Sequence, residues 1–277
     1  MADEAAAKAK TLFDAGQLSE AIATLTQAVK GNPGDTRLRT FLFELLCFAG
    51  DWERAGRQLD VIGHQGTSAE VGVQVYHNCI KAEIDRRHLI TDCLAPHFIK
   101  EPPQYVDMHL EAINQLRLGD TLGLSRTLQQ AEEERPALSG TRGDQIFQDF
   151  RDLDDLFGPV LELIVQDKYT WLPLEQVVEL TVDTPTQLRD LIWSPVNIQM
   201  VDKDLRAFIP NIYVNSYLNT DDRIKLGRMT DWEQIADDCY KGVGLRVFAI
   251  DDAEQGVHEL KKLSFDQHDA GAAAQVM

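Results

Sequence analysis

Ala15-Gly16-Gln17-Leu18-Ser19-Glu20-Ala21 and Ala49-Gly50-Asp51-Trp52-Glu53-Arg54-Ala55 align residue for residue at a separation of 34 positions, and Leu25 maps onto Leu59 at the same offset. A 34-residue period is the tetratricopeptide length: two antiparallel helices and a turn, a unit that must stack on neighbours to bury its apolar faces. Stacks of this kind usually bind other proteins and rarely perform chemistry. The spacing points to an adaptor.

Working outward, an Ala- and Lys-rich helix is expected from about Glu4 to Ala15, closed by Gly16, and a second from about Leu18 to Val29. Asn32-Pro33-Gly34-Asp35 reads as a turn and helix cap. The next helix carries Phe41-Leu42-Phe43, Leu45-Leu46 and Phe48, apolar on more than one side and so sandwiched between neighbours. Trp52 to Ile62 completes the second unit, and helical periodicity continues from Ala69 to about Leu94. Ala95-Pro96 and Glu101-Pro102-Pro103 break regular structure. The pattern then returns in register: Gly119 lies 69 positions beyond Gly50, and Leu128 lies 69 beyond Leu59.

After Glu132-Glu133-Glu134 the character changes. A last helical segment is expected near Asp144 to Phe157, followed by short β-branched and aromatic runs: Val160 to Val165, Val177 to Val182, Asn197 to Val201, Leu205 to Ile209 and Gly244 to Ile250. The fold class is therefore α+β: a TPR-like helical stack over residues 1–157, a small antiparallel β-sheet or barrel over 158–265, and a disordered tail over 266–277.

Composition narrows the function. The 277 residues are 44% hydrophobic and 26% charged, ordinary for a globular chain, but the net charge is −18. Such acidity argues against nucleic acid and anionic membranes as partners. No run approaches the roughly 18 apolar residues of a transmembrane helix. The acidic Met1-Ala2-Asp3-Glu4 start and four irregularly spaced cysteines, Cys47, Cys79, Cys93 and Cys239, fit reduced thiols in the cytoplasm.

Catalytic footholds are scarce. His88, Cys93 and His97 match no zinc spacing, and Gly242-Val243-Gly244 precedes a strand where a phosphate-binding loop would follow one. No nucleophile elbow is present, and no cofactor is called for. Adjacent acidic pairs such as Asp237-Asp238 read as solvated loop residues. Two constellations say more. Tyr76, Ile80, Glu83 and Arg86 fall on one helix face, either as an intrahelical Glu83–Arg86 pair packed on the neighbouring unit or as the wall of a peptide groove, with Arg37 pointing to the same side. Thr230 is placed to cap a helix starting at Asp231, with Trp232 packing that helix on the sheet.

The stretch Arg39 to Ala55 followed by Gln58-Leu59, the block Tyr76-x6-Glu83-x2-Arg86, Pro210-x2-Tyr213 and Arg228-Met229-Thr230-Asp231-Trp232 resemble the ImpE/SciE-type (TagJ-like) accessory proteins of bacterial type VI secretion. The resemblance spans about residues 8 to 250. Asn211, Val214 and Asn215 depart from the smaller residues expected around Tyr213. It implies a non-enzymatic cytoplasmic adaptor that binds the N-terminal helix of the small contractile-sheath subunit and influences how an AAA+ ATPase handles the sheath. Arg37, Glu44, Tyr76, Glu83 and Arg86 are the candidate protein-binding residues. Gly16, Gly50, Trp52, Tyr213, Arg228, Asp231 and Trp232 form the structural signature. A helix bearing Lys or Arg on one face would suit the acidic charge. Two rival readings stand beside this one: a generic TPR co-chaperone or scaffold, and an enzyme with a site around Trp193, Tyr213, Arg228 and Asp231.

Overall fold

The computed structural model describes residues 2–64 and 67–267. Five helices stack in sequence: α1 (Ala2–Asp14), α2 (Leu18–Gly31), α3 (Thr36–Phe48), α4 (Trp52–Gly63) and α5 (Thr67–Asp92). A two-residue strand β1 (His97–Phe98) precedes the antiparallel pair α6 (Gln104–Leu118) and α7 (Thr121–Glu134). Gly16, Gly50 and Gly119 all sit at helix-to-helix turns with φ of 77°, 66° and 74°. The in-register return of the repeat is thus a return of one backbone turn. The residue after two of these glycines closes the next helix: Asp51 accepts from the Arg54 amide and Asp120 from that of Gly123. Asp35 caps α3 in the same way.

The strands follow as β2 (Gly140–Arg142), β3 (Gln145–Phe147), β4 (Phe150–Asp152), β5 (Val160–Val165), β6 (Lys168–Pro173), β7 (Glu179–Val182), β8 (Trp193–Gln199), β9 (Asp204–Pro210), β10 (Thr230–Ala236), β11 (Cys239–Gly244), β12 (Val247–Ile250), β13 (Ala253–Gly256) and β14 (Lys262–Phe265), with a one-turn helix α8 (Asp222–Lys225) between β9 and β10. The main sheet has nine strands in the order β1-β6-β5-β9-β8-β7-β14-β2-β3. Its pairs are antiparallel except β1 with β6, where His97 faces Thr170. A strand from the helical half therefore edges the sheet. β10–β11 form a hairpin, and β13-β12-β4 a third small sheet.

Two expectations fail here. Residues 144–157 do not form a helix but contribute β3 and β4, since Phe147 and Phe150 are pulled into an aromatic cluster with Phe248 and Phe265. Asp231 starts no helix. Thr230–Ala236 is a strand, held by pairing with Cys239–Gly244. Of the expected tail, Asp266 bonds to Ser139 through backbone and side chain, Gln267 reaches the Val177 carbonyl, and 268–277 lie outside the described residues.

β5 shows how the halves join. Its run Val160-Leu161-Glu162-Leu163-Ile164 is buried throughout, because both sheet faces are covered. Leu161 and Leu163 face one core with Leu172, Val196 and Phe248. Val160 and Ile164 face the helices, in a core shared with Phe43, Leu45, Cys79, Trp171 and Trp193. The helical stack thus packs against the chain's own sheet.

Candidate functional site

α5 is the hinge of the arrangement. Its face of Tyr76, Ile80, Glu83 and Arg86 lies against the sheet, which leaves Glu83 6% and Arg86 3% exposed. The Arg86 guanidinium donates to both carboxylate oxygens of Glu162, at 2.8 and 2.9 Å, to Glu83 at 3.3 Å and to the Ile212 carbonyl at 3.0 Å. Arg246 donates to Glu162 Oε2, which it shares with Arg86, to Asp152 and to the Pro210 carbonyl. Tyr169 donates to Glu162, Tyr213 to Asp152 at 2.8 Å, and the Trp193 indole to Glu83 at 3.0 Å.

Burial opposes charge throughout this network, and partners decide the outcome. It works against the Arg86 and Arg246 guanidiniums, but Glu162 above all, with Glu83 and Asp152, holds both above the ordinary arginine value. Burial likewise pushes Glu162 up, and Arg86 and then Arg246 outweigh it and hold the carboxyl down at about 2. Asp154 has no guanidinium of its own. Burial, then the neighbouring Asp152, raise it well above the carboxylate range. Two of the five candidate interaction residues, Glu83 and Arg86, are therefore inside the molecule. The pair packs on the sheet, where a neighbouring helical unit was expected.

Of the other three, Arg37 and Glu44 line an opening, and Tyr76 stands behind it in contact with Arg189. Helices α1 and α3 and the segment 185–191 bound a trough of about 760 Å³, lined by Phe13, Phe41, Leu188 and Leu191 with Lys10, Arg37, Glu44 and Arg189. Arg37 is exposed at the rim, paired with Asp3 at 3.1 Å and Asp35 at 3.4 Å. Glu44 is buried beneath it, as deeply as Glu83, and accepts from Arg189 at 3.1 Å. Burial raises the Glu44 carboxyl, with Arg189 working against it. Arg189 also donates to the Tyr76 hydroxyl at 2.6 Å and lies over its ring. Trp193 stacks on Tyr76 and packs tilted against Trp52. An unbroken line of contacts thus runs from the trough, through Arg189, Tyr76 and Trp193, to Glu83 and Arg86.

Arg228 of the signature, with Asp222 and Tyr217 beside it, clasps the helical turns. α2 has no side-chain cap of its own, and its Leu18 amide is capped by Asp222 of α8 at 2.8 Å. Arg228 donates to the Phe13 and Asp14 carbonyls at the end of α1 and covers the Phe13 ring. These placements put an anion at a helix N-terminus and a cation at a C-terminus. The Tyr217 ring closes over Gly50, where an added Cβ would come within 2.4 Å of it. Trp232 packs on Tyr213. With Arg228 engaged on α1, Trp193 and Tyr213 buried and Asp231 exposed on β10, the residues of the enzyme reading do not converge. Among the described residues, no group of three His, Cys, Asp or Glu is placed to hold a metal ion. No helix among them is long and apolar enough to cross a membrane.

Arg189, Arg246, Asp152 and Asp222 were not legible as site residues. Glu162 carried a signal: an acid in the middle of an apolar run has to have a buried partner.

A short helical-repeat stack that packs against its own sheet defines an α+β protein of the TPR-containing class. Residues 12–71 match the tetratricopeptide repeat model and residues 144–264 the model of the ImpE protein. The chain is 34% identical over 263 residues to the type VI secretion system accessory component TagJ of Pseudomonas aeruginosa, covering 95% of this chain and 92% of that one. The crystal structure of protein VPA1032 from Vibrio parahaemolyticus superposes with a TM-score of 0.87 at 28% identity, over 95% of this chain and 99% of that one. The chain belongs to the ImpE family.

Proposed function

We propose that this protein is a cytoplasmic, non-enzymatic adaptor of a type VI secretion apparatus. In this reading it takes the N-terminal helix of the small contractile-sheath subunit into the trough between α1, α3 and 185–191, and so influences how the AAA+ ATPase handles the sheath. The likeness to TagJ supports the apparatus. The observation that carries the mode of binding is the trough itself: a partly apolar channel with a charged rim, between α1, α3 and the segment 185–191. An amphipathic helix laid in a hydrophobic groove is a recurrent way for such surfaces to recognise a partner.

Arg37, Glu44 and, through Arg189, Tyr76 are the residues assigned to the partner. Glu83 and Arg86 support the wall behind them. The test is a pull-down of the sheath subunit with and without its N-terminal helix, against the wild-type chain and against Phe41→Asp. The expected result is retention of the full subunit only, lost in the variant. Equal retention of both forms of the subunit overturns the partner, and full retention by Phe41→Asp overturns the trough.

A further inference from the structure

A second cleft, built from α6, α7, the segment 151–158 and the turn of the β10–β11 hairpin, encloses about 520 Å³. At its inner side stands His109, 4% exposed. Its Nδ1 lies 3.1 Å from the Leu156 carbonyl, and its Nε2 has no partner among the described residues. Burial, opposed by the bond to Leu156, lowers this imidazole to about 4, so the ring is neutral at pH 7. A neutral ring whose Nδ1–H donates to a carbonyl presents a bare acceptor at Nε2.

The mouth of the cleft is acidic. Glu132 and Asp155 are paired with its one lining cation, Arg151, at 3.4 and 2.6 Å. Glu133, Asp237 and Asp238 are exposed and have no ion pair among the described residues. Apart from the buried Cys239 thiol, the ionisable groups of the cleft without an ion pair are thus hydrogen-bond acceptors: one buried imidazole nitrogen behind three carboxylates, of which Glu133 also accepts from the Gln129 amide at 3.3 Å. A ligand that satisfies them must offer donors only. Guanidinium does so in a planar fork that spans two acceptors, and it is less strongly hydrated than an ammonium, so it enters a partly enclosed cleft at lower cost.

We infer that this cleft binds a guanidinium group presented by an arginine side chain of a partner protein, with His109 Nε2 accepting at its base and Asp237 and Asp238 pairing at its mouth. The cleft shares no lining residue with the trough assigned to the sheath helix, and the inference does not depend on that assignment.

The test is a titration of the full chain with N-acetyl-arginine amide, N-acetyl-lysine amide and spermidine, followed by the ¹⁵N resonances of the His109 ring. Saturable binding of the arginine probe with a shift at His109 Nε2 is expected. In Asp237→Asn with Asp238→Asn the affinity should fall about ten-fold or more, as loss of charge-assisted bonds predicts. Asn tolerates the left-handed backbone of Asp238, whose φ is 53°, so the turn survives. An unmoved His109 resonance, an unchanged affinity in the double variant, or tighter binding of spermidine than of the arginine probe each overturns the inference.

Discussion

The face of α5 and the trough beside α3 invite the same reading in the sequence and meet opposite fates in the fold. Both present aromatic residues beside paired charges, the pattern of a surface waiting for a partner. On α5 the partner is internal: the sheet covers it, and Arg86 ends bidentate on Glu162. At α3 the covering stops. Arg37 keeps 78% of its side chain exposed, above a trough that nothing in the described chain fills. An amphipathic charged face thus announces that something packs there, without saying whether that something is the chain itself. The difference lies in desolvation. A covered charge needs a full set of partners, and Glu162 has three, Arg86, Arg246 and Tyr169, whereas a rim charge needs none.

The sharpest way to break this contrast is Arg86→Ala. Removing one partner of a buried pair leaves Glu162 short of charge compensation, and the expected loss is about 3–5 kcal/mol by urea or guanidinium denaturation. Glu162→Ala should cost a similar amount, and the double variant less than the sum, because the two residues act as a unit. A loss below about 1 kcal/mol, the range of exposed pairs, would mean that α5 is not sealed by the sheet.

The buried titratable groups should also show themselves in acid. His109 protonates near 6.5 when unfolded and only at about 4 when folded. Between those values the unfolded chain holds the extra proton, so stability present above pH 6.5 is lost as pH falls towards 4, by roughly 3 kcal/mol. Glu162 extends the loss from 4.5 down to about 2. Asp154 acts in the opposite sense, since its raised pKa lets the folded chain take up the proton first. Denaturation midpoints from pH 7 to 4 should fall less steeply in His109→Gln than in the wild type. Parallel slopes would refute a buried neutral imidazole.

The clasped turns sharpen the contrast further. Gly16 and Gly119 have open space where a Cβ would stand, whereas at Gly50 it meets the Tyr217 ring. The left-handed backbone alone costs a non-glycine residue about 1–2 kcal/mol. Gly16→Ala and Gly119→Ala should therefore cost that much, and Gly50→Ala clearly more. Asp222→Ala, which removes the cap on α2, should cost about 1 kcal/mol. Equal losses at the three glycines would show that the β half does not close over the second turn.

The same turns explain what was legible. Gly16, Gly50 and Gly119, with Asp51 and Asp120 behind two of them, are local devices whose meaning needs only neighbouring residues, so the repeat and its return could be read directly. Of the site, Arg37, Glu44 and Tyr76 reach the trough or the arginine behind it. Arg189, which links them, lies 113 positions from Tyr76 and 145 from Glu44 and left no local trace. The errors share a cause. Ile146, Phe147, Phe150 and Leu153 fall at helical spacing, and the strands there are three residues long, too short to show alternation. Thr230 to Gln234 reads as a capped helix start until its hairpin partner is known. Pairing across distance overrode local preference in both places.

The mildest substitution carries the functional half of the comparison. Arg37→Ala removes only exposed pairs with Asp3 and Asp35, while Asp35 keeps its cap on α3 through the Arg37 and Leu38 amides. The denaturation midpoint should therefore stay at the wild-type value. If the trough receives the sheath helix with an acidic residue of that helix set against Arg37, and its Lys or Arg face turned to the acidic remainder of the surface, affinity for that helix should nevertheless fall severalfold, mostly through the association rate and more at low salt, as expected for a rim charge. Arg86→Ala should show the reverse order of effects, a large loss of stability with binding impaired only as far as folding is. If Arg37→Ala left helix affinity unchanged at low ionic strength, the rim would be ordinary solvated surface, and recognition would rest on Phe13, Phe41, Leu188 and Leu191 alone.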